Sequence, residues 1–245
     1  MTLEAMLSEI DAKKSSLDML RMLDKESIRN AVLVEYTYES NRIEGNTLTL
    51  RETDIVVNKG LTIGGKSMRE HLEAINHNEA IMYLLDFVRG EIEFDEPIVK
   101  DLHSIILRGI DRDHAGKYRD ASVMISGSRH LPPSPIQVPD LMRECFEWYQ
   151  ENSATCHPII LAAEMHERIA TIHPFIDGNG RTARLVMNLI LMRNGYPIAN
   201  IPGDGDSRRD YYDSLEKCNI SSEKEDFFKR IITNVDSSYQ KYVGL

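Results

Sequence analysis

Apolar residues recur along most of this chain at the spacing of an α-helix, and the breaks fall at glycine, proline and capping residues. In the first 25 residues Leu3, Met6, Leu7 and Ile10, then Leu17, Leu20 and Leu23, predict one or two amphipathic helices packed on the main body. Ser27 is placed to cap a helix with Ile28, Ala31, Val32, Tyr36 and Ile43 on its apolar face and Gly45 as its left-handed stop. Residues 58–66 (NKGLTIGGK) read as a loop or short hairpin. A helix follows from Ser67 to Arg89, with Met68, Leu72, Ile75, Leu84, Leu85 and Val88 inward and Gly90 as stop. Pro97 opens another, through Ile98, Leu102, Ile105 and Ile106 to Gly109.

Between Asp111 and Pro139 the pattern changes. ASVMIS, a Gly-Ser turn and RHLPP read as a strand, a turn and a return segment, so a β-hairpin is expected among the helices. A lone hairpin is marginal in water unless it packs on something, and its open edge could take up an extended peptide. Helices resume from Asp140 to Gln150 and then through Leu161, Met165, Ile169 and Ile172. The run LVMNLILM after Arg184 is apolar almost all round, which predicts a buried central helix ended by Gly195. Asp206 is expected to cap a helix carrying Tyr211, Tyr212, Leu215 and Cys218. Ser222 with Glu225 reads as a capping box for a last helix with Phe228, Ile231, Ile232, Val235 and Tyr239 on its face. The fold class is therefore mainly α, a helical bundle around one buried helix.

Composition narrows the function. A chain of 245 residues, 42% hydrophobic, can bury a large core in one or two domains. The formal net charge of -10 argues against a nucleic acid or an anionic membrane as partner. Cys145, Cys156 and Cys218 are odd in number and widely spaced, so a cytoplasmic, reducing environment is the plain expectation. The N-terminal stretch lacks the basic and apolar regions of a secretory signal, and no window approaches the roughly 18 apolar residues of a membrane span. His71 and His77 fall on different helix faces, the loop IPGDGD lacks spaced acidic ligands, and His166 reads as structural, so none of these predicts a metal site.

The chemistry is concentrated in His173 to Arg184, HPFIDGNGRTAR. A proline after His173 should end the preceding helix there, leaving the imidazole at a helix end. The glycine-bracketed turn Gly178, Asn179, Gly180 then feeds the N-terminus of the central helix, whose free N–H groups and positive dipole end form an anion site. Arg181 and Arg184 share its first turn, where cations oppose the dipole, so both are expected to have anionic partners such as phosphate. His173 suits a general base, and Asp177 is a hard oxygen ligand suited to Mg²⁺, with Mn²⁺ open beside it.

This string matches the signature H-x-F-x-[DE]-G-N-G-R-x-x-R, and the chain resembles the Fic family from about Ser27 to Asn219. The resemblance implies a Fic-type bundle and a protein adenylyltransferase, which moves AMP from ATP to a Ser, Thr or Tyr hydroxyl of a target protein. It implies His173 as catalytic base and Asp177 as metal ligand. ATP would be bound by Asp177, Gly178, Asn179, Gly180, Arg181, Thr182, Ala183 and Arg184. The run GKYR, then VMIS and PP, is similar to the family's flap, so Val123, Met124, Ile125 and Ser126 would touch the nucleotide and residues 121–130 would dock the target. Tyr211, Tyr212 and Asn219 match positions that border the adenine.

Further upstream, SNRIEG from Ser40 to Gly45 resembles the family's inhibitory motif, in which the glutamate pairs with the second arginine of the string; here the pair is Glu44 and Arg184. A carboxylate in the last turn of a helix meets the negative dipole end and needs a cation nearby. The implied organisation is an inhibitory helical segment, 1–60, packed on a catalytic domain, 61–245. Two other functions share these residues: a hydrolase that removes AMP from a modified protein, and a non-catalytic, nucleotide-responsive interaction protein. The target's identity, the direction of the reaction, the preferred nucleotide and the oligomeric state, a homodimer included, are open at this level.

Overall fold

Helix α8 (Asn179–Arg193) is enclosed on every side, each residue from Arg181 to Met192 being buried. In the computed structural model, which describes residues 1–14, 23–90 and 93–242, the other helices are arranged around it. They are α1 (Leu3–Lys14), α2 (Glu26–Ile43), α3 (Leu50–Lys59), α4 (Met68–Arg89), α5 (Glu96–Ile106), α6 (Val138–Asn152), α7 (Pro158–Ile172), α9 (Gly205–Ser221) and α10 (Glu225–Tyr242). α7 lies along α8, while α4, α5 and α2 cover its other sides. One polar residue in the middle of α8 is tolerated because it is satisfied: the Asn188 amide accepts from Ala199 N at 2.8 Å and donates to Ala199 O at 3.4 Å.

α2 contributes Val32, Leu33, Tyr36 and Ile43 to the same core as α8. α1 is tied down by polar contacts, Tyr196 Oη donating to Asp11 Oδ1 at 2.5 Å and Lys13 Nζ to Asp236 Oδ1 at 2.5 Å. Leu17 and Leu20 lie outside the described residues. No helix among the described residues is long and apolar enough to cross a membrane.

Several local expectations are corrected. α2 begins two residues earlier than a Ser27 cap would allow, with Lys25 at its N-cap and Ser27 inside the first turn. α3 was not anticipated, because its apolar residues are few; a Thr49–Glu52 capping box starts it and left-handed Gly60 ends it. Met68 points outward at 67% exposure, since Ser67 is the cap and the first turn of α4 projects beyond the core. Gly90 does end α4, as expected, with φ −84°, a conformation open to any residue. Asp204, two residues before Asp206, caps α9 by accepting from Ser207 N at 3.1 Å. Ser222 is the left-handed C-cap of α9, so it makes no capping box with Glu225.

The largest correction is the β-hairpin. Residues 111–139 contain no strand; up to residue 137 they form turns and irregular backbone that ends in a short 3₁₀ turn, Pro135–Gln137, where α6 takes over. Pro132, Pro133 and Pro135 have no N–H to give a return strand, so a ladder cannot form along that side. Side chains hold the segment in place of a ladder. The buried Arg119 guanidinium donates to Ala121 O at 3.1 Å and Pro133 O at 2.6 Å, and Glu216 Oε1 accepts from Arg129 N at 2.6 Å and Ser128 Oγ at 3.2 Å.

Candidate active site

α7 stops at Ile172 because Pro174 excludes right-handed helical backbone at His173. His173 takes the left-handed region instead, φ 51°, ψ 59°, while its N–H still closes the helix on Ile169 O at 2.9 Å. Its carbonyl accepts from Arg119 Nε at 2.8 Å, and its Nδ1 donates to Ala170 O at 3.3 Å. A carbonyl can only accept, so the ring proton sits on Nδ1 and Nε2 keeps a free lone pair. Burial holds the imidazole below its ordinary pKa, partly offset by the bond to Ala170 and by the nearby Glu44 carboxylate. At neutral pH the ring is an unprotonated base.

Between His173 and α8 the chain makes a tight, fully supported turn. Asn179 pairs with both ends of Phe175, accepting from its N–H and donating to its carbonyl at 2.9 Å each. Its side-chain oxygen and nitrogen are thereby both engaged in the turn. Gly178 is left-handed at φ 77°, and a β-carbon there would meet the His103 ring at 3.3 Å. His103 Nδ1 accepts from Gly116 N at 2.9 Å, so its Nε2 donates to Asp177 O at 2.8 Å; the ring stacks on Phe175 at 3.6 Å. Sequence reasoning missed His103. Its one signal was a polar ring on the apolar face of an amphipathic helix, beside Val99, Leu102 and Ile106.

The two arginines diverge. Arg181 is buried against Glu73 Oε1 at 3.6 Å and Asp177 Oδ1 at 3.4 Å. Arg184, 1% exposed, donates from Nε to Ser40 Oγ at 3.0 Å and from Nη2 to Ser40 O at 2.9 Å and Glu44 Oε1 at 2.7 Å. Its Nη1 also reaches Tyr211 Oη at 3.4 Å, and that hydroxyl bonds His166 Nε2 at 2.9 Å. His166 is thus a structural histidine, and burial pushes it down to about 3. Glu44 sits over the start of α8, where a β-carbon on Gly180 would overlap its Oε1. The anion site at the helix N-terminus therefore already holds a carboxylate.

The end of α2 is fastened by α9. Ile43 O accepts from Arg208 Nε at 2.7 Å and from Tyr212 Oη at 3.2 Å, and Gly203 N donates to Glu39 Oε2 at 2.6 Å. Arg208 also lies over the Tyr212 ring. A β-carbon at Gly203 would come within 3.0 Å of the α2 backbone, so only glycine allows this approach. Arg208 carried no sequence signal.

A cavity of about 520 Å³ opens beside this cluster. Among the residues singled out from sequence it brings together Glu44, Met124, Ile125, Ser126, His173, Gly180, Arg184, Tyr211, Tyr212 and Asn219. Val123, Asp177, Gly178, Asn179, Arg181, Thr182, Ala183 and Ser40 do not line it. Thr182 and Ala183 are fully buried on the core side of α8. Tyr211 is buried, whereas Tyr212 is partly exposed at the cavity wall. Asp177 lies beside the turn, bonded through Oδ2 to Arg69 Nη2 and through Oδ1 to Gly178 N at 2.6 Å. No group of three or more potential metal-ligating side chains occurs among the described residues. A single carboxylate next to an anion site fits Mg²⁺ bound mainly by phosphate oxygens and water, and it does not fit a metal held by protein alone.

The fold is shared with known proteins. A solved structure of Fic-1 from Caenorhabditis elegans superimposes with a TM-score of 0.86 at 30% identity, covering 99% of this chain and 72% of that one. The chain belongs to the Fic family. A Fic domain-containing signaling protein from Bacteroides thetaiotaomicron is similar at a TM-score of 0.81 and 27% identity, covering 96% of this chain and 94% of that one. The Fic/DOC family model matches residues 93–191, which include the whole string from His173 to Arg184. The C. elegans protein named protein adenylyltransferase fic-1 is 36% identical over 214 residues, 85% of this chain. The Drosophila willistoni protein adenylyltransferase Fic is 35% identical over 220 residues. This Fic chain spans 41% and 43% of the lengths of those two relatives.

Proposed function

We propose that this chain transfers AMP from ATP to a hydroxyl side chain of a protein, and that Glu44 restrains the reaction. The observation that carries the proposal is the Glu44 carboxylate at the N-terminus of α8, paired with Arg184 at 2.7 Å and bordering the same cavity as His173. A carboxylate in that position marks where phosphate would bind, because both need the helix-end N–H groups and a guanidinium. With Glu44 withdrawn, Arg184 would engage the outer phosphates and the first N–H groups of α8 would stabilise charge at the α-phosphate. His173 Nε2 would take the proton of a Ser, Thr or Tyr hydroxyl; the oxygen would attack the α-phosphorus, and pyrophosphate would leave. Asp177, released from Arg69, would hold Mg²⁺ or Mn²⁺, which supplies charge neutralisation on the phosphates.

In this reading residues 1–60 are the regulatory segment and 61–245 the catalytic part. Segment 121–130 docks the target. Tyr212, Ile125 and Asn219 receive the base. The relatives' names support the reaction class, and the cavity supports the placement. The test is to incubate wild type, Glu44→Gly and His173→Ala chains with ATP, Mg²⁺ and candidate targets, and to weigh the proteins intact. An AMP adduct strongest with Glu44→Gly and absent with His173→Ala is expected; no adduct with Glu44→Gly overturns the proposal.

One observation favours a second reading. Glu44 and His173 border one cavity, and the carboxylate favours the protonated imidazole, an acid–base pair suited to activating water. An enzyme that removes AMP from a modified protein would then lose activity, not gain it, in Glu44→Gly.

A further inference from the structure

Asn219, on the cavity wall, is gripped from behind by a chain of polar contacts that runs into the protein. Its side-chain Oδ1 meets Thr171 Oγ1, which also lies 2.8 Å from Glu167 Oε1. Glu167 is buried, 5% exposed, and its other oxygen accepts from Lys224 Nζ at 2.9 Å. The Thr171 hydroxyl has one proton but faces two oxygens. A carboxylate paired with an ammonium has no proton to give, so the Thr171 proton goes to Glu167. Thr171 can then only accept from its remaining neighbour. The Asn219 end that faces it must be the NH₂, the two ends of an amide being exchangeable by rotation.

This proton count makes Oδ1 the amide end turned away from Thr171, on a residue that lines the cavity. The wall formed by α9 runs from Arg208, near Glu44, past Tyr212 to Asn219; Tyr212 and Asn219 are about 10 Å apart at the helical rise per residue. A nucleotide with its phosphates at Arg184 therefore directs its base toward Asn219. We infer that Lys224, Glu167 and Thr171 are positioning residues that lock the Asn219 amide, so that the cavity prefers a purine with an exocyclic amine over one with a carbonyl at the same place. The inference rests on the proposed nucleotide-binding reading of this cavity.

Binding, not turnover, tests it. ATP and ITP, which differ in having an amine or a carbonyl at that base position, would be titrated calorimetrically with Mg²⁺ into the full chain carrying Glu44→Gly and His173→Ala. That background is expected to bind ATP about tenfold more tightly than ITP, the equivalent of one well-placed hydrogen bond. Adding Thr171→Val is expected to reduce the ratio to about threefold or less, and Thr171→Ser to retain it. Glu167→Gln is a second, independent variant. With its oxygen held by Lys224 it presents an NH₂ to Thr171, which frees the Thr171 proton for Asn219 Oδ1 and turns the amide around, so the preference should fall or invert. Tight ATP binding with an unchanged ratio in both Thr171→Val and Glu167→Gln overturns the inference and leaves the proposed function standing. Absence of binding by either nucleotide to the starting double variant overturns both.

Discussion

Ser40 and Glu44 stand one helical turn apart on α2, on one face, and both grip the Arg184 guanidinium. Arg184 is buried from all sides, and a charge removed from water is tolerable only when its donors are matched. Ser40 supplies a hydroxyl and a carbonyl, and Glu44 supplies the negative charge. The pair thus fixes the arginine's position through Ser40 and its charge balance through Glu44.

Replacing Ser40 by Ala deletes one of the two Ser40 contacts and leaves the carboxylate in place. Stability should fall by about 1.5–3 kcal/mol, the usual worth of a hydrogen bond to a charged group. AMP incorporation should rise less than in Glu44→Gly. Denaturant unfolding and intact-mass assays on both variants check this, and a larger gain from Ser40→Ala would contradict the division of labour.

As the proposed base, His173 is expected to set the acid side of the pH profile. Burial is the main cause of its lowered pKa, and Glu44 pulls in the opposite direction. The neutral base is lost as pH falls through the folded-state value, which lies below the ordinary 6.5. Rates of AMP transfer by Glu44→Gly should therefore hold through pH 6.5 and decline only below it, because removing the carboxylate lowers the pKa further. A midpoint above 6.5 would show that another group controls the limb.

Other buried histidines add to the pH dependence of stability, His103, lowered by burial to about 4, among them. His77 and His166 are buried and neutral; desolvation, then the positive charge of Arg184, holds His77 well below 6.5 and His166 down to about 3. In the unfolded chain both bind protons near pH 6.5, so the unfolded state takes up more protons below that pH. Stability is complete above 6.5 and is lost as pH falls, by up to about 1.4 kcal/mol per pH unit for each ring. Urea unfolding at pH 7 and pH 5.5 should show a clear drop in midpoint, while flat stability across that window would contradict the assignment.

Arg119 is the fastener of the segment that lacks strands. Its guanidinium bonds the carbonyls of Ala121, Pro133 and His173, so Arg119→Ala removes several contacts to a charged donor at once. Limited proteolysis should then cut within residues 121–131 much faster than in wild type, before any other part of the chain. An unchanged cleavage pattern would mean that Glu216 alone secures the segment.

What could be read from sequence follows the range of the forces involved. The all-round apolar run after Arg184 announced α8 as the centre, because burial on every side leaves no polar face. The spacing of Ser40 and Glu44 within one helix was visible, and the structure brings that face to Arg184. Local patterning failed where distant residues decide. The alternating stretch around Val123 looked like a strand, yet its backbone is organised by Arg119 and Glu216 from outside the pattern. His103 and Arg208 act on Asp177 and Ile43, which are remote in the chain, so no periodicity marked them. Both arginines of the string have the anionic partners expected of cations at a helix start, Arg184 in Glu44 and Arg181 in Glu73 and Asp177.

Arg208 and Tyr212 hold the last carbonyl of α2 while also forming a wall of the cavity. In the proposed reading, a molecule settling there shares its container with the tether of its own competitor. Because Glu44 is delivered by the same polypeptide, diluting the protein cannot weaken it, and raising expression cannot strengthen it. If Glu44 acts as proposed, an abundant small molecule, or a pull on that one helix end, shifts the contest.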